Sequence, residues 1–156
     1  MFHSLSKRSS VPGLRVGFVA GDARVIAAFA RLRSYGGASV PLPMMAVGAA
    51  LYQDETHVEA NRALYRAKFD IAESMLNGRL GFYRPAGGFY LWLNVGDGEQ
   101  AAVALWRAAG IRTLPGAYLA HGDAHGHNPG APFLRVAMIA DLETTRRAVA
   151  RIAEIL

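Results

Sequence analysis

From Pro41 to Tyr52 the chain carries no charged residue, and Met44, Met45, Ala46, Val47, Ala49, Ala50 and Leu51 surround every side of the helix the run predicts. A helix that is apolar all round must be covered all round. The run falls short of the roughly 20 residues needed to cross a bilayer, so its cover has to be protein. Whatever this chain folds into, the run must be packed inside it or against something else.

The remaining composition fits a globular chain. Of 156 residues, 52% are hydrophobic and 19% charged. That is too apolar and too weakly charged for disorder, and long enough for one domain or for one domain and part of another. There is no cysteine, which excludes a disulfide framework and thiolate chemistry. Met1-Phe2-His3-Ser4 lacks a basic segment followed by an apolar one, so no secretory signal is read there and the cytoplasm is the expected compartment. Lys plus Arg number 17 against 12 Asp plus Glu, a net charge of +5. The excess is nearly all arginine, scattered along the chain without aromatic interleaving. Neither nucleic acid nor a membrane is an expected partner.

Along the chain, Val16–Ala20 reads as a short buried strand. Asp22 is a good N-cap for a helix through Arg33, whose Val25, Ile26, Phe29 and Leu32 repeat at helical spacing and predict one buried face. Tyr35-Gly36-Gly37 is expected to end it. A long helical pattern from Glu55 to Asn77 turns Val58, Leu64, Tyr65, Ile71, Ala72 and Met75 inward. Gly88–Val95 reads as an aromatic-rich strand, followed by a helix from Glu99 to Ala109, a short strand from Ile111 to Leu114, a glycine-rich loop, a strand from Phe133 to Ile139 and a last helix from Asp141. The order predicts a small α+β layer, one sheet with helices on a face.

The residues with chemistry stand at the front. Lys7 lies among Ser4, Ser6, Ser9 and Ser10, eight residues before Arg15, with Pro12-Gly13 as a turn between. A lysine amine forms a Schiff base once deprotonated, and burial near other cations helps by lowering its pKa. Arginine and serine hydroxyls suit a phosphate. Spacing alone favours a basic surface loop closed by serines.

Ser4-Leu5-Ser6-Lys7, then Gly13-Leu14-Arg15-Val16-Gly17, resembles the lysine signature of class I and II aminotransferases at every position. Those are pyridoxal-phosphate enzymes of fold type I. Pro85-Ala86-Gly87-Gly88-Phe89-Tyr90-Leu91-Trp92 is similar to the family's small-domain strand, Leu114-Pro115-Gly116 to its turn, and Phe133-Leu134-Arg135-Val136-Ala137 to the strand bearing the substrate arginine. The resemblance implies an α/β protein: residues 1–54 a remnant of the large cofactor domain, and residues 55–156 the small domain, opened by a long interdomain helix. It implies that Lys7 forms the internal aldimine with pyridoxal 5'-phosphate and shuttles the Cα proton, that Ser4 and Arg15 bind the phosphate, and that Arg135 pairs with the substrate α-carboxylate. Ser6 would be positional, and Tyr35 and Gly36 would approach the partner subunit's cofactor in a homodimer. The substrates implied are an amino acid and a 2-oxo acid. Ser4–Ser9 with Gly17–Asp22 is most similar to the succinyldiaminopimelate subgroup, which works in lysine biosynthesis with 2-oxoglutarate.

Complete members are well over twice this length. Their pyridinium-pairing acid, ring-stacking aromatic and further phosphate loop have no counterpart here, so the resemblance implies a C-terminal fragment with negligible turnover by itself. Phe2-His3 would be the stub of the strand that delivers the lysine loop. A non-catalytic binding or dimerisation module is the alternative.

The remaining features read plainly. His121, Asp123, His125 and His127 have metal-ligand types but sit in a glycine-rich tract, so a solvated loop and no metal are expected. Trp92 and Trp106 are expected to pack in the small domain, Met44 and Met45 to fill core, and Arg146, Arg147 and Arg151 to be solvated. Alternation along Phe133–Ile139 puts Arg135 on the face of Phe133 and Ala137, to be paired with an acid such as Asp141 or Glu143 or left for an anion.

Overall fold

In the computed structural model, which describes every residue except Ala38, alternating apolar positions form two separate antiparallel sheets rather than one. Residues Met1–Arg62 and Ala63–Leu156 make two units, and the division falls inside one helix.

In the first unit, β1 (Phe2–Ser4) pairs with β2 (Gly17–Val19). The stub expected at Phe2-His3 is therefore a strand, with His3 stacked on Phe18 at 5.3 Å between ring centroids. Between the strands lie a single turn of helix, α1 (Leu5–Arg8), and a 3-10 turn at Pro12–Leu14. Helix α2 (Ala23–Gly36) begins where expected, the Asp22 carboxylate accepting from Arg24 N–H at 2.9 Å. It runs through Tyr35 and Gly36 instead of stopping there. Helix α3 (Leu42–Gln53) comes next, and α4 (Thr56–Leu76) starts this unit's last stretch.

The predicted buried face of α2 is corrected by the structure: Val25, Phe29 and Leu32 are exposed and Ile26 is half-buried. The apolar stripe is there, but no described element of this unit lies over it. The same holds for α3, where Met45 and Val47 are exposed, Met44 is half-buried, and only Gly48 is buried. Among the described residues of this unit the buried apolar side chains are Leu5 and Val58.

Such bare surface governs behaviour in solution. Phe2, Tyr35 and Leu42 are each at least three-quarters exposed, at 80%, 75% and 78%. Contiguous apolar patches drive association. The chain is expected to self-associate at micromolar concentration; light scattering of a clean monomer that binds no hydrophobic dye would overturn this.

The second unit has a proper core. Strands β3 (Tyr90–Asn94), β4 (Leu114–Pro115) and β5 (Phe133–Ala137) lie in the order β3-β5-β4, with β5 antiparallel to both neighbours. One face carries Leu91, Leu93, Leu134 and Val136, which pack with Phe69, Ala72 and Leu76 of α4. Ala101 and Leu105 of α5 (Gly98–Ala109), and Val149 and Ile152 of α6 (Leu142–Ile155), complete the cluster. The last helix starts at the acid expected, Asp141 accepting from Thr144 N–H, whereas α5 starts one residue before the expected Glu99, capped by Asp97, which accepts from Glu99 and Gln100 N–H.

Three local expectations give way to packing. The strand predicted at Ile111–Leu114 shrinks to Leu114–Pro115, because Ile111 N–H closes α5 on Leu105 O at 3.3 Å. Trp106 is exposed at 51%, since α5 buries Ala101 and Leu105 and the next position turns away; the Arg112 guanidinium lies over its ring at 5.1 Å. Leu64 is exposed, whereas Phe69 and Leu76 supply the apolar face of α4. Trp92 does pack as expected, half-buried and stacked on Phe133.

Candidate active site

The lysine turn is built from the backbone outward. Ser4 opposes Gly17 in the β1–β2 ladder, and Leu5 N–H donates to Val16 O at 3.1 Å, so the two ends of the Ser4–Gly17 segment are held together. Glycine is required at 17: a Cβ there would lie 2.4 Å from His3 O. Gly48 is equally a matter of space, since a Cβ would meet Val16 Cγ1 at 2.8 Å and Leu5 Cδ1 at 3.4 Å, which lets α3 rest on this turn.

Ser4 is half-buried and caps α1, its Oγ accepting from Ser6 N–H at 3.2 Å. Its own hydroxyl proton remains to donate. Arg15 is exposed in a left-handed conformation (φ 56°), its Nη1 donating to Pro12 O at 2.9 Å; a guanidinium has four further N–H donors for an anion. Lys7 is exposed, which corrects the expected burial of its amine: a one-turn helix buries Leu5 and points Lys7 away from it. A primary amine, a hydroxyl and a guanidinium on one closed turn are the donor set that a phosphorylated aldehyde takes. Tyr35 and Gly36, at the end of α2, are both exposed.

In the second unit Arg135 sits on the sheet face away from the core, with Trp92 and Leu114 opposite it in register. Its guanidinium carbon is 4.4 Å from the centroid of Tyr90, and among the described residues no carboxylate comes within 4.0 Å of it. Of the acids weighed as partners, Asp141 is engaged elsewhere: it accepts from Thr144 N–H at 2.7 Å and Thr144 Oγ1 at 2.9 Å, and those bonds hold its carboxyl below the usual carboxylate range. Stacking covers one face of the guanidinium and leaves its edge donors for a planar anion.

The histidine loop is exposed and organised by Asp123, whose Oδ1 accepts from His125 and His127 N–H at 2.9 Å each. Among the described residues no three His, Asp or Glu side chains are grouped to hold a metal ion, and no helix is long and apolar enough to cross a membrane. Arg146, Arg147 and Arg151 are exposed as expected.

A family model for aminotransferases of class I and II matches residues 1–152. This chain belongs to that family. Its fold is fold type I over the part it covers. The chain is 34% identical over 152 residues to the 4-dedimethylamino-4-oxo-anhydrotetracycline transaminase of Streptomyces rimosus, covering 96% of this chain and 40% of that protein. Among solved structures it is similar to an aminotransferase from Neisseria meningitidis, at 42% identity and a TM-score of 0.90, over 99% of this chain and 39% of that one. It is also similar to a probable N-succinyldiaminopimelate aminotransferase from Thermus thermophilus, at 28% identity and a TM-score of 0.83, over 99% and 41%. The chain thus spans about two fifths of the length of the relatives it matches.

Two features escape a reading by motif. Tyr90 faces Arg135 diagonally across two strands, a pairing only the register reveals. Around the lysine turn Arg8 bonds Leu51 O and Ser9 bonds His57, and the Ser9–His57 pair is separated by 48 residues. Only Asp54, as an acid three residues before His57, left a local signal.

Lys68 is buried at 6% exposure, its Nζ donating to Met138 O at 2.9 Å beneath the Tyr65 ring. Burial pushes its amine below the ordinary lysine value, Asp141 opposing. A lysine whose folded pKa is lowered disfavours the folded state while protonated, so stability rises with pH between that pKa and the unfolded value. Urea unfolding across alkaline pH should show this slope in the wild type and lose it in Lys68→Met; equal slopes would show that Lys68 stays charged.

Proposed function

We propose that this chain supplies the cofactor lysine and the substrate-carboxylate arginine of a pyridoxal-phosphate-dependent aminotransferase. Residues 1–54 belong to its cofactor domain and residues 55–156 to its small domain. Bound, pyridoxal 5'-phosphate supplies the electron sink that makes a substrate Cα proton removable. Lys7 Nζ holds that cofactor and moves the proton, Ser4 Oγ and the Arg15 guanidinium hold its phosphate, and the Arg135 edge grips the substrate carboxylate. The carrying observation is the closed Ser4–Gly17 turn, a segment with its two ends bonded that bears Lys7, Ser4 and Arg15. The substrates are an amino acid and a 2-oxo acid, and the working protein is a homodimer. The donor read here is N-succinyl-L,L-diaminopimelate with 2-oxoglutarate as acceptor; the likeness to the Thermus thermophilus protein supports that choice.

Pyridoxal phosphate followed by borohydride should fix the cofactor on Lys7 ahead of both Lys68 and the Met1 amine. Lys68 is buried, so sparing it proves little alone; the decisive control is Arg15→Ala, which should abolish the preference for Lys7. Unchanged labelling in Arg15→Ala would mean a merely accessible lysine. The bare apolar side chains of α2 and α3 favour a binding or dimerisation module as second reading. Discrete dimers with no cofactor capture would select it.

A further inference from the structure

Lys7 is succeeded by three residues whose side chains all reach back to one segment of the same unit. Arg8 Nη1 donates to Leu51 O at 2.7 Å, Nη2 pairs with Glu55, and the guanidinium carbon lies 5.3 Å from the Tyr52 ring centroid. The Ser9 hydroxyl is 2.8 Å from His57 Nε2, and His57 Nδ1 is 2.8 Å from the Asp54 carboxylate. Asn61 Nδ2 donates to the Ser10 hydroxyl at 2.8 Å, and Ser10 itself is held at φ 56°. Together these anchors span Leu51 to Asn61.

A single helical turn does not persist unaided, because nucleation fixes several dihedrals for one hydrogen bond. Residue 10 resists further, since a non-glycine residue is strained in the left-handed region. The turn bearing Lys7 is tied at its front by the Ser4 cap and the Leu5–Val16 bond, and at its far end by the anchored side chains of Arg8, Ser9 and Ser10. Ser, His and Asp in this order also form hydrolytic triads, but here Ser9 is buried at 8%, and the Ser9 and Val11 N–H groups are both spent on Leu5 O. Those two N–H groups are therefore not offered to an oxyanion at the hydroxyl. The arrangement can hold a backbone; it cannot attack a carbonyl.

We infer that Arg8 and His57, the latter acting through Ser9 and oriented by Asp54, are positioning residues that fix the α1 turn and thereby aim the Lys7 amine. This rests on Lys7 being the cofactor lysine. The phosphate donors Ser4 and Arg15 lie outside the anchored stretch, so loss of the anchor separates aim from affinity. In His57→Phe, which keeps a ring and removes both bonds, borohydride-trapped fixation of pyridoxal phosphate on Lys7 should fall at least about tenfold in rate at saturation. The half-saturating concentration should stay unchanged. Ser9→Ala removes one hydroxyl and carries the test if His57→Phe does not fold. The double variant should be no slower than the slower single one, since both break the same contact.

Wild-type saturating rates in folded His57→Phe and Ser9→Ala would overturn the inference, as would a change confined to half-saturation. If the wild-type chain shows no preference for Lys7, the cofactor reading fails instead. Amide exchange at Ser9 and Val11 then decides the anchor: faster exchange in the variants keeps it, and unchanged exchange removes it.

Discussion

Leu134→Ala should destabilise the second unit by about 2–5 kcal/mol, the range for a buried leucine that leaves a cavity. Leu134 is fully buried at the centre of β5, opposed by Leu93 on one side and Pro115 on the other. Both neighbours are fixed by the ladder, so the sheet cannot collapse into the gap. At roughly 4–8 °C per kcal/mol for a unit of this size, the melting midpoint falls by about 8–40 °C. Both tryptophans, Trp92 and Trp106, lie within Ala63–Leu156, so tryptophan fluorescence reports this unit alone. Trp106→Ala is the contrast. Half-exposed and stacked on Arg112, it should cost about 1 kcal/mol or less. A Leu134→Ala loss no larger than that of Trp106→Ala would mean the core is not where the structure puts it.

The sequence made legible what local chemistry decides. Asp22 was legible as a cap and Asp141 as a helix start because each side chain bonds N–H groups two or three residues on; Asp97 caps α5 in the same way but stood in a glycine turn that read as the end of a strand. The face of Arg135 was legible because strand alternation allows only two choices, and apolar neighbours at 134 and 136 take the core. Helix α1 left no trace, since one turn has no period to detect and its anchors lie at Leu51, Glu55 and His57. Exposure of α2 was equally hidden. An amphipathic stripe predicts that a helix has a partner, never that the partner is present. Lys7 failed for the same reason: lysine among serines gives its chemistry, while burial depends on which elements lie over the turn. Tyr90 became visible only once the register was known.

Arg135→Lys tests the candidate site where the largest binding energy is at stake. Arg135 is a half-buried cation on a sheet face without a carboxylate partner among the described residues, and Tyr90 covers one side of it. Such a group is tolerated because the ring attracts it and its edge reaches water; an incoming carboxylate replaces that water with two parallel charge-assisted bonds. Lysine keeps the charge but offers a point donor, so the fork geometry is lost. In a complete aminotransferase carrying this chain, the change should cost roughly 2–5 kcal/mol of substrate affinity. KM for amino donor and 2-oxo acceptor should rise together by about thirtyfold or more, because 1.4 kcal/mol is a factor of ten. Borohydride fixation of the cofactor on Lys7 should be untouched, since Ser4 and Arg15 are unchanged. Tyr90→Leu should raise both KM values in the same direction but less, as it leaves the fork and removes only the stacking, worth about 0.5–2 kcal/mol. If Arg135→Lys instead loses the cofactor, or raises KM for one substrate alone, Arg135 does not hold the carboxylate that both substrates share.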